Sequence, residues 1–158
     1  MNEKEDNPGV IAFPPLICAA TIGASLLVHF FVARVPMSIL PRAISLGIAI
    51  ACFVIAPMLA ISAMVNFKRA GTNVHPSEPA TAIVRSGPYR FTRNPMYLAL
   101  TLLQIGLAFL LNDAITLLFA VALILILHFG VILREERYLE AKFGEEYLAL
   151  KRTVRRWI

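Results

Sequence analysis

Two groups of residues in this 158-residue chain have the types and spacing for chemistry. The first is Ser86-Gly87-Pro88-Tyr89-Arg90-Phe91-Thr92-Arg93-Asn94-Pro95-Met96-Tyr97, a polar stretch between two apolar blocks. Gly87-Pro88 reads as a turn. Asn94-Pro95 reads as a helix start, with Asn94 as N-cap and Pro95 at the first helical position. The stretch therefore aims the free N–H groups and partial positive charge of a helix N-terminus at its surroundings, with Arg90 and Arg93 beside it. A carboxylate or phosphate suits such a place. The same residues also suit the plain flank of a membrane helix, where Pro turns the chain, Arg anchors it and Tyr lies in the interface.

The second group is Glu135-Glu136, just past the last long apolar block. A carboxylate at a membrane boundary can bind an amine, a ribose or a sulfonium, or it can be a solvated face with local Glu/Arg pairs. On a continuous α-helix His128 shares a face with Glu135, and Glu136 lies about 100° around from it. His128 lies near the end of an apolar run, where a polar residue is either functional or hydrated at the boundary. His75, before Pro76, either contacts a ligand or serves the turn.

The elements that must position these groups are apolar helices. The chain is 58% hydrophobic and 16% charged, against roughly 45–50% and 25% in soluble domains. It reads as an all-α integral membrane protein forming a single domain over residues 1–158, with four transmembrane helices. The expected spans are Ala12 to Ala33, Ala43 to Val65, Met96 to Leu111, which is short, and Ala114 to Leu133. Pro57 predicts a kink in the second. Residues 1–11 read as a flexible tail without the basic start of a cleaved signal peptide. Residues 12–65 carry the first two spans, and 66–158 the motifs, the last two spans and a C-terminal helix. Leu139, Phe143 and Tyr147 recur every four residues, which predicts an amphipathic helix on the membrane surface or over the loop. Gly144 is its expected bend and Trp157 an interfacial anchor.

The formal net charge of +5 sits at the flanks of apolar blocks. That is membrane topology and not a nucleic-acid-binding stripe. Basic residues concentrate in the loop between spans two and three and at the C-terminus, which places both termini and that loop in the cytoplasm. Spans three and four form a hairpin, so residues 87–97 and Arg134-Glu135-Glu136-Arg137 face one compartment whatever the orientation. Cys18 and Cys52 lack the clustered spacing of a disulfide framework or metal site. The eight glycines form no G-x-G-x-x-G or phosphate loop, and no metal motif or nucleophile elbow occurs, which excludes a Rossmann site, a structural zinc and a serine hydrolase.

Taken in order, Ala80-Thr81-Ala82-Ile83-Val84, Ser86-Gly87-Pro88-Tyr89-Arg90, Arg93-Asn94-Pro95-Met96-Tyr97, a helical hairpin, Arg134-Glu135-Glu136 and Phe143-Gly144-Glu145-Glu146-Tyr147 resemble the isoprenylcysteine carboxyl methyltransferase and phospholipid N-methyltransferase superfamily, as a short bacterial-type member. The resemblance covers roughly residues 66–157. It implies S-adenosylmethionine as methyl donor, held without a Rossmann fold. By motif, Thr81, Ala82, Ile83, Val84, Tyr89, Asn94, Pro95, Met96, Tyr97 and Glu135 would line or bind the cofactor, with His75 and Arg93 counted beside them. Glu136, His128 and Arg134 are the candidate catalytic residues. Glu136, His75 and His128 are the possible bases for an amine or thiol acceptor. Eukaryotic prenylcysteine enzymes have His where Asn94 stands, and an Arg for the substrate carboxylate where Val131 stands; Arg134 would substitute from another angle. The implied reaction is methyl transfer to a lipid-like or membrane-accessible carboxylate, amine or thiol, at the cytoplasmic face of a bacterial inner membrane. A small soluble thiol or amine is the alternative acceptor, and a non-catalytic protein binding anionic lipid head groups the alternative class.

Overall fold

The computed structural model describes residues 6–158 except 39, 74, 76 and 77, so Val74 and Pro76 of the expected His75 turn lie outside the described residues. Among the described residues six α-helices succeed one another: α1 (Pro14–Phe31), α2 (Arg42–Arg69), α3 (Pro95–Leu111), α4 (Ala114–Leu127), α5 (Leu133–Phe143) and α6 (Glu145–Thr153). A short 3₁₀ turn, Gly87–Arg90, precedes α3. The same residues hold no β-strand, only two isolated bridges. Three of the described helices are long and apolar enough to cross a membrane: Pro14–Phe31, Arg42–Arg69, and the rod Ala114–Phe143 formed by α4 and α5 together. α3 is apolar but has 17 residues.

Each helix starts and stops for a local reason. Pro14 and Pro15 open α1, where the missing N–H would have no partner in any case. α2 runs unbroken through Pro57 for 28 residues. α3 ends at Asn112 in the left-handed conformation (φ 54°), a region Asn tolerates. α4 starts at Asp113, whose carboxylate accepts from Thr116 N–H (3.0 Å) and Thr116 Oγ1 (2.7 Å). The same carboxylate accepts from Val35 N–H at 2.8 Å and lies 3.3 Å from His29 Nδ1. Asp113 thus joins the α1–α2 connection to the α3–α4 turn.

Packing obeys membrane rules. α3 lies against both α2 and α4, and α1 against α4 and α3. A Cβ on Gly106 would stand 3.0 Å from Cys52 Cβ, so a small residue there lets α2 and α3 approach closely, which is how helices associate in lipid. α1 and α3 share a polar seam. Fully buried Gln104 donates to Ser25 Oγ at 3.1 Å and accepts from Thr21 Oγ1 at 3.3 Å. Leu27, Phe30, Ile50, Met58, Ile61 and Leu118 are exposed on the outer faces, as expected for side chains that meet acyl chains.

Two expectations change. Between α4 and α5 the rod passes through a π-helical turn, His128–Ile132. A π turn inserts one residue and rotates the helix beyond it by about 100°, so His128 and Glu135 do not share a face as they would on a continuous α-helix. Residues 6–11 are not a free tail: Gly9 C=O accepts from Arg134 Nη1 at 2.9 Å and Ile11 N–H donates to Gly130 C=O at 3.3 Å. Residues 1–5 of that tail lie outside the described residues. The C-terminal helix breaks at Gly144 (φ 52°), and α6 folds back with Tyr147 and Leu150 buried.

Asp113 carries a pH signature. Burial raises its pKa, but the hydrogen bonds from Val35 and Thr116 outweigh that and hold it at about 2, against an ordinary 3.8. A depressed folded pKa contributes stability above the unfolded value that is lost as pH falls toward the folded one. Thermal midpoints in detergent are therefore expected to decline between about pH 4 and pH 2. Asp113→Ala should cost about 1–2 kcal/mol at neutral pH and flatten that decline.

Candidate active site

A cavity of about 390 Å³ lies where the end of α2, the loop after it, the start of α3, and α5 and α6 converge. Small-molecule sites are usually roughly 300–1,000 Å³. One wall is the Gly87 turn. Gly87 has φ 60°, and a Cβ on it would stand 2.3 Å from Asn66 Nδ2. Ser86 Oγ donates to Asn66 Oδ1 (2.7 Å), and Asn66 Nδ2 donates to Ser62 C=O (2.8 Å). The turn is thereby clamped to the last turns of α2. Tyr89 is carried inward, its ring 5.2 Å from that of Phe67 and in a cluster with Ala63 and Val84. Burial, and then the charge of Glu135, push the Tyr89 phenol well above its ordinary range, so it stays a neutral donor at the cavity wall.

The preceding loop is folded by its own hydroxyls. Thr72 Oγ1 accepts from Thr81 N–H (2.9 Å) and Ala82 N–H (3.4 Å), and Thr81 Oγ1 donates to Gly71 C=O (2.8 Å). Thr81 is therefore occupied in shaping the loop and does not reach the cavity, whereas Ala82, Ile83 and Val84 line it. Tyr138 of α5 accepts from Ala80 N–H at 3.2 Å and holds the loop in place.

Asn94 stands at the N-cap position with Pro95 after it, but its side chain makes no capping bond. Its Nδ2 donates instead to Arg156 C=O at 2.9 Å. Thr92 Oγ1 accepts from Asn94 N–H and donates to Arg156 C=O, both at 3.1 Å. The C-terminal segment is thus tied across the start of α3, whose opening residues Asn94, Pro95, Met96 and Tyr97 line the cavity.

The two adjacent glutamates meet opposite environments. Glu136 is 5% exposed. It accepts from Arg156 Nε (2.9 Å) and Nη2 (2.7 Å) and from Arg93 Nη2 (2.9 Å), with Lys151 Nζ 3.9 Å away. Glu135 accepts a bond from Tyr97 OH at 2.5 Å, and among the described residues no cation pairs with it. Arg93, whose side chain is 8% exposed, lines the cavity and leaves its buried Nε and Nη1 without partners. The cavity thus offers a carboxylate without a counter-charge together with a guanidinium that has donors to spare.

Of the candidate residues, His75, Ala82, Ile83, Val84, Tyr89, Arg93, Asn94, Pro95, Met96, Tyr97, Glu135 and Glu136 come together around the cavity. Thr81, His128 and Arg134 do not. His128 is half-buried, its ring edge-on to Phe129 at 4.8 Å, at the start of the π turn. Arg134 is exposed and donates to Gly9. Val131 is wholly buried in the α1–α4 core. Sequence reasoning missed Arg156, Lys151, Tyr138 and Asn66 as parts of the site. Arg156 and Lys151 lie in a run of basic residues whose types do not say which one turns inward. Tyr147 was visible only as an apolar period.

The model of the phospholipid methyltransferase family matches residues 44–146, which takes in every cavity wall except residues 8–15 and the α6 residues Tyr147 and Leu150. An uncharacterized protein of Haemophilus influenzae is 41% identical over 63 residues, 40% of this chain and the whole of that protein.

The two carboxylates should answer differently to neutralisation. Glu136→Gln strands the buried Arg93 charge and is expected to destabilise the protein by about 3–5 kcal/mol, read as a fall in thermal midpoint. Glu135→Gln strands no cation, and its midpoint should stay near that of the wild type. Equal losses in both would contradict this division of roles.

Proposed function

The chain belongs to the phospholipid methyltransferase family, and from that premise we propose that it transfers a methyl group from S-adenosylmethionine to a lipid-like acceptor. The observation that carries the reading is the pairing of Arg93 and Glu135 at one cavity. A zwitterionic aminoacyl group needs a donor for its carboxylate and an acceptor for its ammonium. The free Nε and Nη1 of Arg93, beside the uncapped start of α3, fit the first. Glu135, bonded to Tyr97 OH and to no cation, fits the second. The rings of Tyr89 and Tyr97 suit the adenine or the sulfonium. The cofactor would supply an electrophilic methyl on a cationic sulfur; its bond to sulfur breaks as the bond to the acceptor heteroatom forms, leaving a neutral thioether.

The protein's own contribution is alignment and exclusion of water. Ala60, Met64, Phe67 and Leu100 give the cavity an apolar arm. Met64 and Phe13 line the cavity and are 43% and 44% exposed, so the cavity wall reaches the protein surface at apolar side chains. That combination favours an acceptor with an acyl or prenyl chain reached from the bilayer. The acceptor atom is a carboxylate, amine or thiol. For the latter two a proton must leave, and His75 is the candidate base at the cavity wall, since Glu136 is held in its ion pairs. On this reading α3 is a fourth crossing, and the cavity and both termini face the cytoplasm of a bacterial inner membrane.

The test is S-adenosylmethionine binding by calorimetry in nanodiscs, wild type against Glu135→Ala. The variant is expected to lose about tenfold or more in affinity, roughly 1.4 kcal/mol, while remaining folded. A labelled methyl group should then pass from the cofactor to an extracted membrane lipid. Folded wild-type protein without saturable binding, with or without added lipid extract, would sink the reading.

A further inference from the structure

The cavity is closed from two sides by unlike means. On one side the C-terminal segment is held by the buried Glu136 ion pairs. On the other, residues 6–13 run from the surface of α5 to the start of α1. Pro8 and Phe13 of this segment line the cavity. The Phe13 ring stacks on His75 of the opposite loop, with centroids 4.7 Å apart and planes 15° apart.

The fastenings of the segment are exposed. Asp6 Oδ1 accepts from Tyr138 OH at 2.7 Å and Oδ2 pairs with Lys142 Nζ at 2.5 Å. The Asp6 side chain is 54% exposed, and ion pairs in such places hold weakly. Arg134 donates to Gly9 C=O and Gly130 C=O accepts from Ile11 N–H. Ile11 sits in a notch that exists because residue 130 is glycine: a Cβ there would stand 2.3 Å from Ile11 Cδ1. Tyr138 is the junction, since its hydroxyl meets both Asp6 and the Ala80 N–H of the loop that carries His75. Asp6 and the loop edge of the Phe13–His75 stack thus share one partner. The rigid Pro14-Pro15 start of α1 comes directly after Phe13 and makes a natural pivot.

We propose that residues 6–13 form a gate on the cavity, latched at Asp6 by Tyr138 and Lys142 and closed by the Phe13–His75 stack, which sets how fast ligands enter and leave. Phe13 is the access-determining residue and Asp6 a positioning residue that acts through it. The C-terminal side stays shut while the N-terminal side opens, because the carboxylate that holds the first, Glu136, is buried and the one that latches the second, Asp6, is exposed. The inference rests on the methyltransferase reading only for its choice of probe.

The test uses the full chain in nanodiscs, as wild type, Asp6→Asn, Asp6→Glu and Phe13→Ala, with thermal midpoints confirming that each folds. Hydrogen exchange at the Ile11 amide needs no ligand; it should accelerate about tenfold in Asp6→Asn and stay near wild type in Asp6→Glu. By stopped flow, S-adenosylmethionine should associate and dissociate about threefold or more faster in Asp6→Asn, with Kd changed by less than about twofold, and should associate faster in Phe13→Ala. A static ligand contact would raise dissociation alone and carry Kd with it. Unchanged Ile11 exchange in Asp6→Asn, or a rise in dissociation alone, overturns the gate. A wild type that fails to bind the probe would defeat the methyltransferase reading, and the exchange result would still decide the latch.

Discussion

The carboxylate of Glu136 is where three distant parts of the chain meet: α5, the residues leading into α3, and the C-terminal segment. Arg93 and Arg156 both bond to it, with Lys151 Nζ 3.9 Å away. Taking these charges out of water costs several kcal/mol per ion, and the loss is offset only by close geometry and full hydrogen bonding. Arg156 supplies that with two parallel bonds to the two carboxylate oxygens. Its carbonyl accepts from Thr92 and Asn94, so the cluster also fixes the first turn of α3. Remove the carboxylate and the start of α3, the C-terminal segment and one wall of the cavity lose their common anchor.

Because Glu136 takes up the basic side chains, its neighbour is left without any. Two adjacent glutamates on one α-helical segment point about 100° apart, so one faces the cluster and the other the cavity. The π turn before α5 decides which. Without the inserted residue of His128–Ile132 the pair would turn by about 100°, the angle between neighbouring residues, so the two glutamates could not both keep their present partners. π turns recur at functional sites. Arg93 spans the two environments, with one nitrogen on Glu136 and two unpartnered beside the cavity.

The other end of the molecule obeys a different constraint. In a bilayer interior the backbone and every polar side chain must be satisfied within the protein. The α1–α3 seam of Thr21, Ser25 and Gln104 meets that demand. Asp113 meets it at the turn, serving the start of α4 and the Val35 N–H at once. Arg42 donates to the carbonyls of Phe109 and Leu110 at the end of α3. These contacts hold the scaffold rigid on the side away from the cavity and leave the loop after α2 and the N-terminal segment as its lightly held parts.

The sequence alone determined everything that depends on local pattern. Apolar block lengths marked out the helices, including the shortness of α3, because burying backbone in lipid demands long helical runs. The Asn112-Asp113 turn came from local chemistry, as did the Pro95 helix start, the Gly144 break and the hairpin logic that puts residues 87–97 beside Glu135 and Glu136. So did the family resemblance, carried by motifs in fixed order. Only the tertiary structure decided matters of long-range pairing. Nothing local marks Arg156 as the basic residue that turns inward among Arg152, Arg155 and Arg156. Nothing local says that Asn94 bonds to a carbonyl 62 residues away and does not cap its own helix. A one-residue insertion in an apolar run leaves no compositional trace, so the rotation that separates His128 from Glu135 was invisible. The N-terminal residues read as a tail because their polarity is that of a tail. They are held by partners 119 to 136 residues away in the chain, and contacts at that separation are set by the folded scaffold and not by the residues' own composition.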